Sequence, residues 1–191
     1  MSDTYSNFAE LKEQEAEGVD FRIEYENRES PISIVAPHGG KIEPQTSEVA
    51  RMIAGSDFNL YLFEGIKPAK NFSRLHITSA RFDEPRCLEM VSSSRRVVCV
   101  HGCSGNGEEV YLGGLDNALL DLLQAALTES GVDVVLDGHP WPGKNQTNIC
   151  NRGITKQGVQ IELSKGFRES GNLERLAEVV AKCCRDTSID A

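Results

Sequence analysis

The chain has 191 residues, 39% of them hydrophobic and 26% charged, the profile of an ordinary water-soluble globule long enough for one self-contained core. Its formal net charge of −9, from 29 acidic and 20 basic residues, speaks against general nucleic-acid binding, which depends on neutralising phosphates. No apolar stretch approaches the ~20 residues that span a bilayer. Met1-Ser2-Asp3-Thr4-Tyr5 lacks the basic and apolar regions of a signal peptide, so the expectation is a cytoplasmic protein with no membrane partner.

Residues 7–17 read as a helix stopped by Gly18, and Phe21–Tyr25 alternates as a half-buried strand does. Ile32–Ala36 is a β-branched run entering a Gly39-Gly40 loop, and a helix follows from Thr46 towards Gly55 with hydroxyls placed as N-caps. Asn59–Phe63 reads as a strand, Leu75–Thr78 as a short one and Val97–Val100 as a buried one. Leu115–Glu129 has the strongest helical periodicity, with Gly131 as its stop. Asp133–Asp137 and Val159–Leu163 are further strands, and Leu173–Arg185 is the closing helix. Strands alternating with helices predict an α/β sandwich on a mixed, mostly parallel sheet. The long polar stretch 138–158, rich in Gly, Pro, Asn and Thr, reads as a functional loop.

Six cysteines could make three bridges, but Cys99 lies inside an apolar strand and Cys183-Cys184 are adjacent. Small, reduced, buried thiols fit this arrangement better than a disulfide framework.

Two histidines, His38 and His101, each end an apolar run and open into glycine. Ligands collect at the carboxyl ends of strands in open α/β sheets. With Glu43 these histidines make a set of two imidazoles and a carboxylate, suited to catalytic zinc because a fourth position stays open. The His-x4-Glu spacing is not that of the helical metalloprotease motif and does not decide the matter by itself. Glu162 lies among apolar neighbours, where a carboxylate needs a partner or a function; at a strand end beside a metal it would be the general base, and facing solvent it would be neither. Asn151 and Arg152 upstream, with Lys165 and Arg168 downstream, are candidates for holding a substrate carboxylate, against the alternative of ordinary surface charge.

Other motifs are weaker. Residues 102–107 lack the pattern of a phosphate loop and run into Glu108-Glu109. Cys103 suits a small loop thiol better than a nucleophile, and Cys99-x-His101-x-Cys103 lacks a second cysteine pair for structural zinc. His76 and His139 have no comparable grouping and read as supporting or structural residues.

The motifs containing Ala36-Pro37-His38-Gly39-Gly40-Lys41-Ile42-Glu43-Pro44, Val100-His101-Gly102, Asn148–Gly153 and Gly158–Arg168 resemble, in that order, the phage-type poly-γ-glutamate hydrolase family over roughly residues 20–185. The resemblance implies a single-domain, three-layer α/β/α sandwich like that of zinc carboxypeptidases, spanning 20–191 behind an N-terminal helical segment, 1–19. It implies one Zn2+ held by His38, Glu43 and His101, Glu162 as general base, and Asn151 and Arg152 near a substrate carboxylate. The expected function is zinc-dependent cleavage of γ-glutamyl amide bonds in an acidic polymer, by a chain read as a monomer that host lysis could release. Alternatives are a zinc carboxypeptidase or amidase acting on another acidic peptide, such as a cell-wall peptide, and a non-enzymatic phage replication accessory protein.

Overall fold

The computed structural model describes residues 3–187; Met1, Ser2 and residues 188–191, which fall within the two segments read from the sequence, lie outside the described residues. The elements are α1 (Phe8–Gln14), β1 (Phe21–Glu26), β2 (Ile32–Gly40), α2 (Thr46–Ala54), β3 (Asn59–Gly65), α3 (Asn71–Leu75), α4 (Pro85–Ser93), β4 (Arg96–Gly102), β5 (Glu109–Gly114), α5 (Asn117–Glu129), β6 (Asp133–Val135), a 3-10 turn (Ile149–Arg152), β7 (Val159–Leu163), α6 (Lys165–Glu169) and α7 (Leu173–Thr187). The strands form one sheet in the order β1-β3-β2-β4-β7-β5-β6. β3, β2, β4 and β7 are parallel at its centre, β1 and β5 pair antiparallel with β3 and β7, and β6 is parallel to β5. The fold is a single α/β domain on a mixed sheet.

Strand alternation divides the core into two layers. Ile34, Ala36, Leu60, Leu62, Val98, Val100 and Ile161 pack with α2, α5 and α7. Val35, Tyr61, Phe63, Val97 and Cys99 face the other way, against Phe8 and Leu11 of α1 and Cys87, Met90 and Val91 of α4. Both faces of the central strands are covered, which is why they read as unbroken apolar runs. Full burial of Leu123 in α5 contributes about 1.5–3 kcal/mol. All six cysteines are free and buried; five lie within these layers, where packing explains them without cross-links, and Cys103 lies in the loop after β4.

Several elements differ from the sequence reading. Leu75 ends the helix α3, and 76–78 is extended chain without a strand partner. Leu75 and Ile77 are both buried, which mimics strand alternation, but side chains occupy the backbone there: Ile77 O accepts from His38 Nε2 and Thr78 N donates to Asp3. α4 and β5 are further elements that no sequence pattern predicts. β5 follows a glycine-rich loop and carries only Val110 and Leu112 as buried large apolar residues, too short an alternation to stand out. Thr46 does not cap α2. Its hydroxyl donates to Glu43 O at 2.8 Å, while the N-cap position is held by Gln45 with a left-handed backbone.

Candidate metal and catalytic site

The carboxyl ends of β2, β4 and β7 meet at a cavity of about 590 Å³ lined by His38, Glu43, His76, His101, Gln160 and Glu162 among others. The local sequence explains how each arrives there. Pro37 has no N–H for a ladder, and the β2–β3 register slips by one residue between Ala36 and Gly39, so His38 sits in a bulge. Gly40 follows with φ +62°, where an added Cβ would lie 2.6 Å from Gly65 O. The chain then folds back until Glu43 N donates to His38 O at 2.9 Å, which places the carboxylate beside the imidazole. The His-x4-Glu spacing is therefore a turn, not a helix. His101 and Glu162 occupy directly paired positions on β4 and β7.

These side chains converge. His38 Nδ1 is 3.1 Å from His101 Nδ1 and 3.3 Å from Glu43 Oε1, and His101 Nδ1 is 3.7 Å from Glu43 Oε2. His38 Nε2 lies 2.8 Å from Ile77 O, which can only accept, so Nε2 carries a proton and Nδ1 is the nitrogen turned towards the cluster. Two ring nitrogens facing each other beside a carboxylate leave room for a shared proton or a cation. Nitrogen, nitrogen and oxygen donors in this number are the set catalytic zinc takes.

His76 joins the group, a placement its neighbours in sequence do not signal. Its Nε2 lies 3.9 Å from Glu43 Oε1, and its ring stacks on His38 with centroids 4.1 Å apart. His38, Glu43 and His76 could themselves hold a metal ion. On its far side His76 Nδ1 donates to Asp3 Oδ1 at 2.7 Å, and Asp3 also accepts from Thr78 N and Arg81. The N-terminal segment thus reaches the site. His139, by contrast, donates to the carbonyls of Leu112 and Leu136 and anchors its own loop.

The charges are strongly perturbed. Burial alone would raise the Glu43 carboxyl, but the charges and hydrogen bonds of His38 and His101 outweigh it and hold it far below the usual range. Burial and the charge of Glu43 push Glu162 well above the usual carboxylate range, against the opposing pull of His38, Arg168 and Gln160. Burial and the charge of His38 lower His76 to about 4. Burial and the charge of Glu162 push the Cys103 thiol up to about 12, which leaves it inert as a nucleophile. Two buried amides fix Glu162: Asn148 Nδ2 donates to Gln160 Oε1 at 2.8 Å, and Gln160 Nε2 donates to Glu162 Oε1 at 2.9 Å.

The basic and amide residues expected to hold substrate are engaged otherwise. Arg152 donates to the carbonyls of Thr147, Ala80 and Phe82, and its neighbour Asn151 bonds Gly143 O, Asn145 O and Gly158 N. Both therefore brace loops, and neither lines the cavity. Lys165 is exposed on α6, 3.8 Å from Glu169. Arg168 is buried and binds the carbonyls of Pro44, Cys103 and Leu163 at 2.7, 3.0 and 3.2 Å. Those three carbonyls follow Glu43, His101 and Glu162 within two residues, so one guanidinium ties together the loops that carry the site. Gly102 makes room for it, since a Cβ there would lie 2.9 Å from Arg168 Cζ.

The family model described as poly-gamma-glutamate hydrolase matches residues 5–177. The chain belongs to this family. The UPF0714 protein YndL of Bacillus subtilis (strain 168) is 41% identical over 170 residues, covering 88% of this chain and 66% of YndL, so the chain spans about two thirds of that relative's length. A solved structure of a bacteriophage poly-gamma-glutamate hydrolase superposes with a TM-score of 0.95 at 28% identity, covering 100% of both chains. A zinc-free apo structure of YndL superposes with a TM-score of 0.92 at 35% identity, covering 97% of this chain and 99% of that one. The family is one of hydrolases, and its fold is the one described above.

Proposed function

We propose that this chain cleaves γ-glutamyl amide bonds of poly-γ-glutamate, with a zinc ion held by His38, Glu43 and His101 and with Glu162 as general base. The observation that carries the reading is the convergence of His38 Nδ1, His101 Nδ1 and the Glu43 carboxylate beside a buried second carboxyl, Glu162, in one cavity. That the related YndL structure is a zinc-free apo form supports the choice of metal. When bound, the ion would polarise the amide carbonyl, acidify water and favour the ionised form of Glu162.

Gln160 holds Glu162 Oε1 and so leaves the second oxygen for the proton. Ionised Glu162 takes a proton from the attacking water as the oxygen adds to the carbonyl carbon, then returns it to the leaving nitrogen as the C–N bond breaks. The hydrogen bonds of Arg168 to the Pro44, Cys103 and Leu163 carbonyls keep the donors and the base in register.

The test is metal analysis of the purified chain, then incubation with poly-γ-glutamate and sizing of the products. The expected result is one zinc per chain and shortened polymer. Replacing His38 or His101 with Ala should remove most of the metal, since each supplies one of three protein ligands. Stoichiometric zinc without polymer cleavage would turn the reading towards another acidic peptide, and full metal retention by both variants would overturn the ligand assignment.

A further inference from the structure

An acidic polymer approaching this site meets a chain of net charge −9 and a cavity wall that includes Glu43 and Glu162. Local positive charge has to offset that field. Among the described residues lining the cavity, Lys144 is the only lysine or arginine, and its ammonium has no hydrogen bond or ion pair. The other basic side chains near the site are committed elsewhere: Arg152 and Arg168 to backbone carbonyls, Lys165 beside Glu169 on α6.

The backbone beneath Lys144 is held firmly. Asn151 Nδ2 bonds the carbonyls on either side of it, Gly143 O at 2.8 Å and Asn145 O at 2.9 Å. One residue further back, Pro142 O accepts from Gly114 N at 2.9 Å. Gly143 has φ +62° and packs so closely that an added Cβ would lie 2.9 Å from Gly114 N. Arg152 also bonds Thr147 O, and joins this loop to the carbonyls of Ala80 and Phe82. Lys144, exposed and unpartnered, thus stands on a backbone fixed at three points, where it borders both this cavity and a smaller one lined by Asp121 and Asp137. Trp141 and Pro142, just before it in the chain, share the lining and offer apolar surface to the methylenes of a glutamyl unit.

We infer that Lys144 is a specificity-determining contact that receives a substrate carboxylate next to the scissile amide, so that the site selects chains bearing an ionised carboxylate at that position. The inference rests on the poly-γ-glutamate reading above. It also reassigns the expected carboxylate clamp: Asn151 and Arg152 hold the loop, and Lys144 supplies the charge.

The experiment compares zinc-loaded wild type with K144Q, K144R and K144E on poly-γ-glutamate and on the same polymer with its free carboxylates esterified. Binding of γ-linked glutamate oligomers is measured separately by calorimetry, and thermal midpoints and zinc content check the fold. Lys144 is exposed, so all variants should match wild type in stability and zinc content. K144Q is expected to raise KM and the oligomer Kd by roughly five- to tenfold, about the weight of one charge-assisted contact, with kcat changed less than twofold. K144R should recover most of the loss and K144E should deepen it. On the esterified polymer, wild type and K144Q should differ by less than twofold. Equal KM and Kd for wild type and K144Q on the acidic substrate, with wild type cleaving it, overturns the inference alone. No cleavage and no oligomer binding by wild type overturns the function proposed above, and this inference with it.

Discussion

His76 Nδ1 donates to Asp3 Oδ1 at 2.7 Å, a bond that joins the start of the chain to an imidazole stacked on His38. A carboxylate behind a site histidine fixes its tautomer and ring orientation. D3N removes the charge and weakens the bond while keeping the shape. His76 lies close enough to Glu43 and His38 to serve as a further donor, and in that role D3N is expected to cost roughly tenfold in metal affinity in a chelator competition, with the fold unchanged by circular dichroism. Unchanged affinity would reduce His76 to a cavity wall.

Glu162→Gln tests the base apart from the metal. The variant keeps the size of the side chain but cannot accept a proton. Zinc content should stay at wild-type level while turnover falls by at least ~10²-fold, the scale of a lost general base. Wild-type turnover on a confirmed substrate would remove Glu162 from the chemistry.

Arg152→Lys should be a stability variant. Three guanidinium nitrogens reach three backbone carbonyls on two loops, and a single ammonium cannot span them. The expected cost is about 1–3 kcal/mol in urea unfolding, from carbonyls left without a charged donor. An unchanged midpoint combined with a large fall in kcat/KM would instead return Arg152 to substrate binding.

The metal-free chain should also report on His76 through pH. Its folded value, lowered by burial to about 4, lies below the 6.5 of the unfolded imidazole. Between those values the unfolded chain holds more protons, so this contribution is complete above pH 6.5 and is lost as pH falls to about 4, about 3 kcal/mol at most. Glu162, raised by burial, acts in the opposite direction above its ordinary 4.5. The measurement is therefore the difference between wild type and H76N in denaturant midpoint, taken from pH 7 down to pH 4. A difference that does not narrow over that range would show that His76 is not held neutral by the fold.

The strands bearing His38, His101 and Glu162 were legible because an apolar run ending in His-Gly, or enclosing a lone carboxylate, is costly to bury without purpose. The central sheet was legible for the same reason, since strands covered on both faces have no polar alternation to obscure them. His76 was not, because its role comes from stacking on His38 and from Asp3, 73 residues away, and no local pattern encodes either. The partners of the arginines were not legible for a related reason: sequence shows that a guanidinium is near the motif, but not whether carbonyls already surround it. Lys144 passed unnoticed because its distinction is the absence of a partner, which only the folded loop reveals.

The three bonds from Arg168 have a consequence for how substitutions combine. Loops on separate strands of a sheet are usually independent, and changes in them add. Here a shift at Pro44 displaces the same guanidinium that Cys103 and Leu163 share. Double-mutant cycles between the loop after Glu43 and the loop after His101 should therefore return a sizeable interaction energy in wild type, and that coupling should vanish in an Arg168 variant that still folds. The rim of the site behaves as one mechanical part, and sequence drift in any of its loops is constrained by the other two.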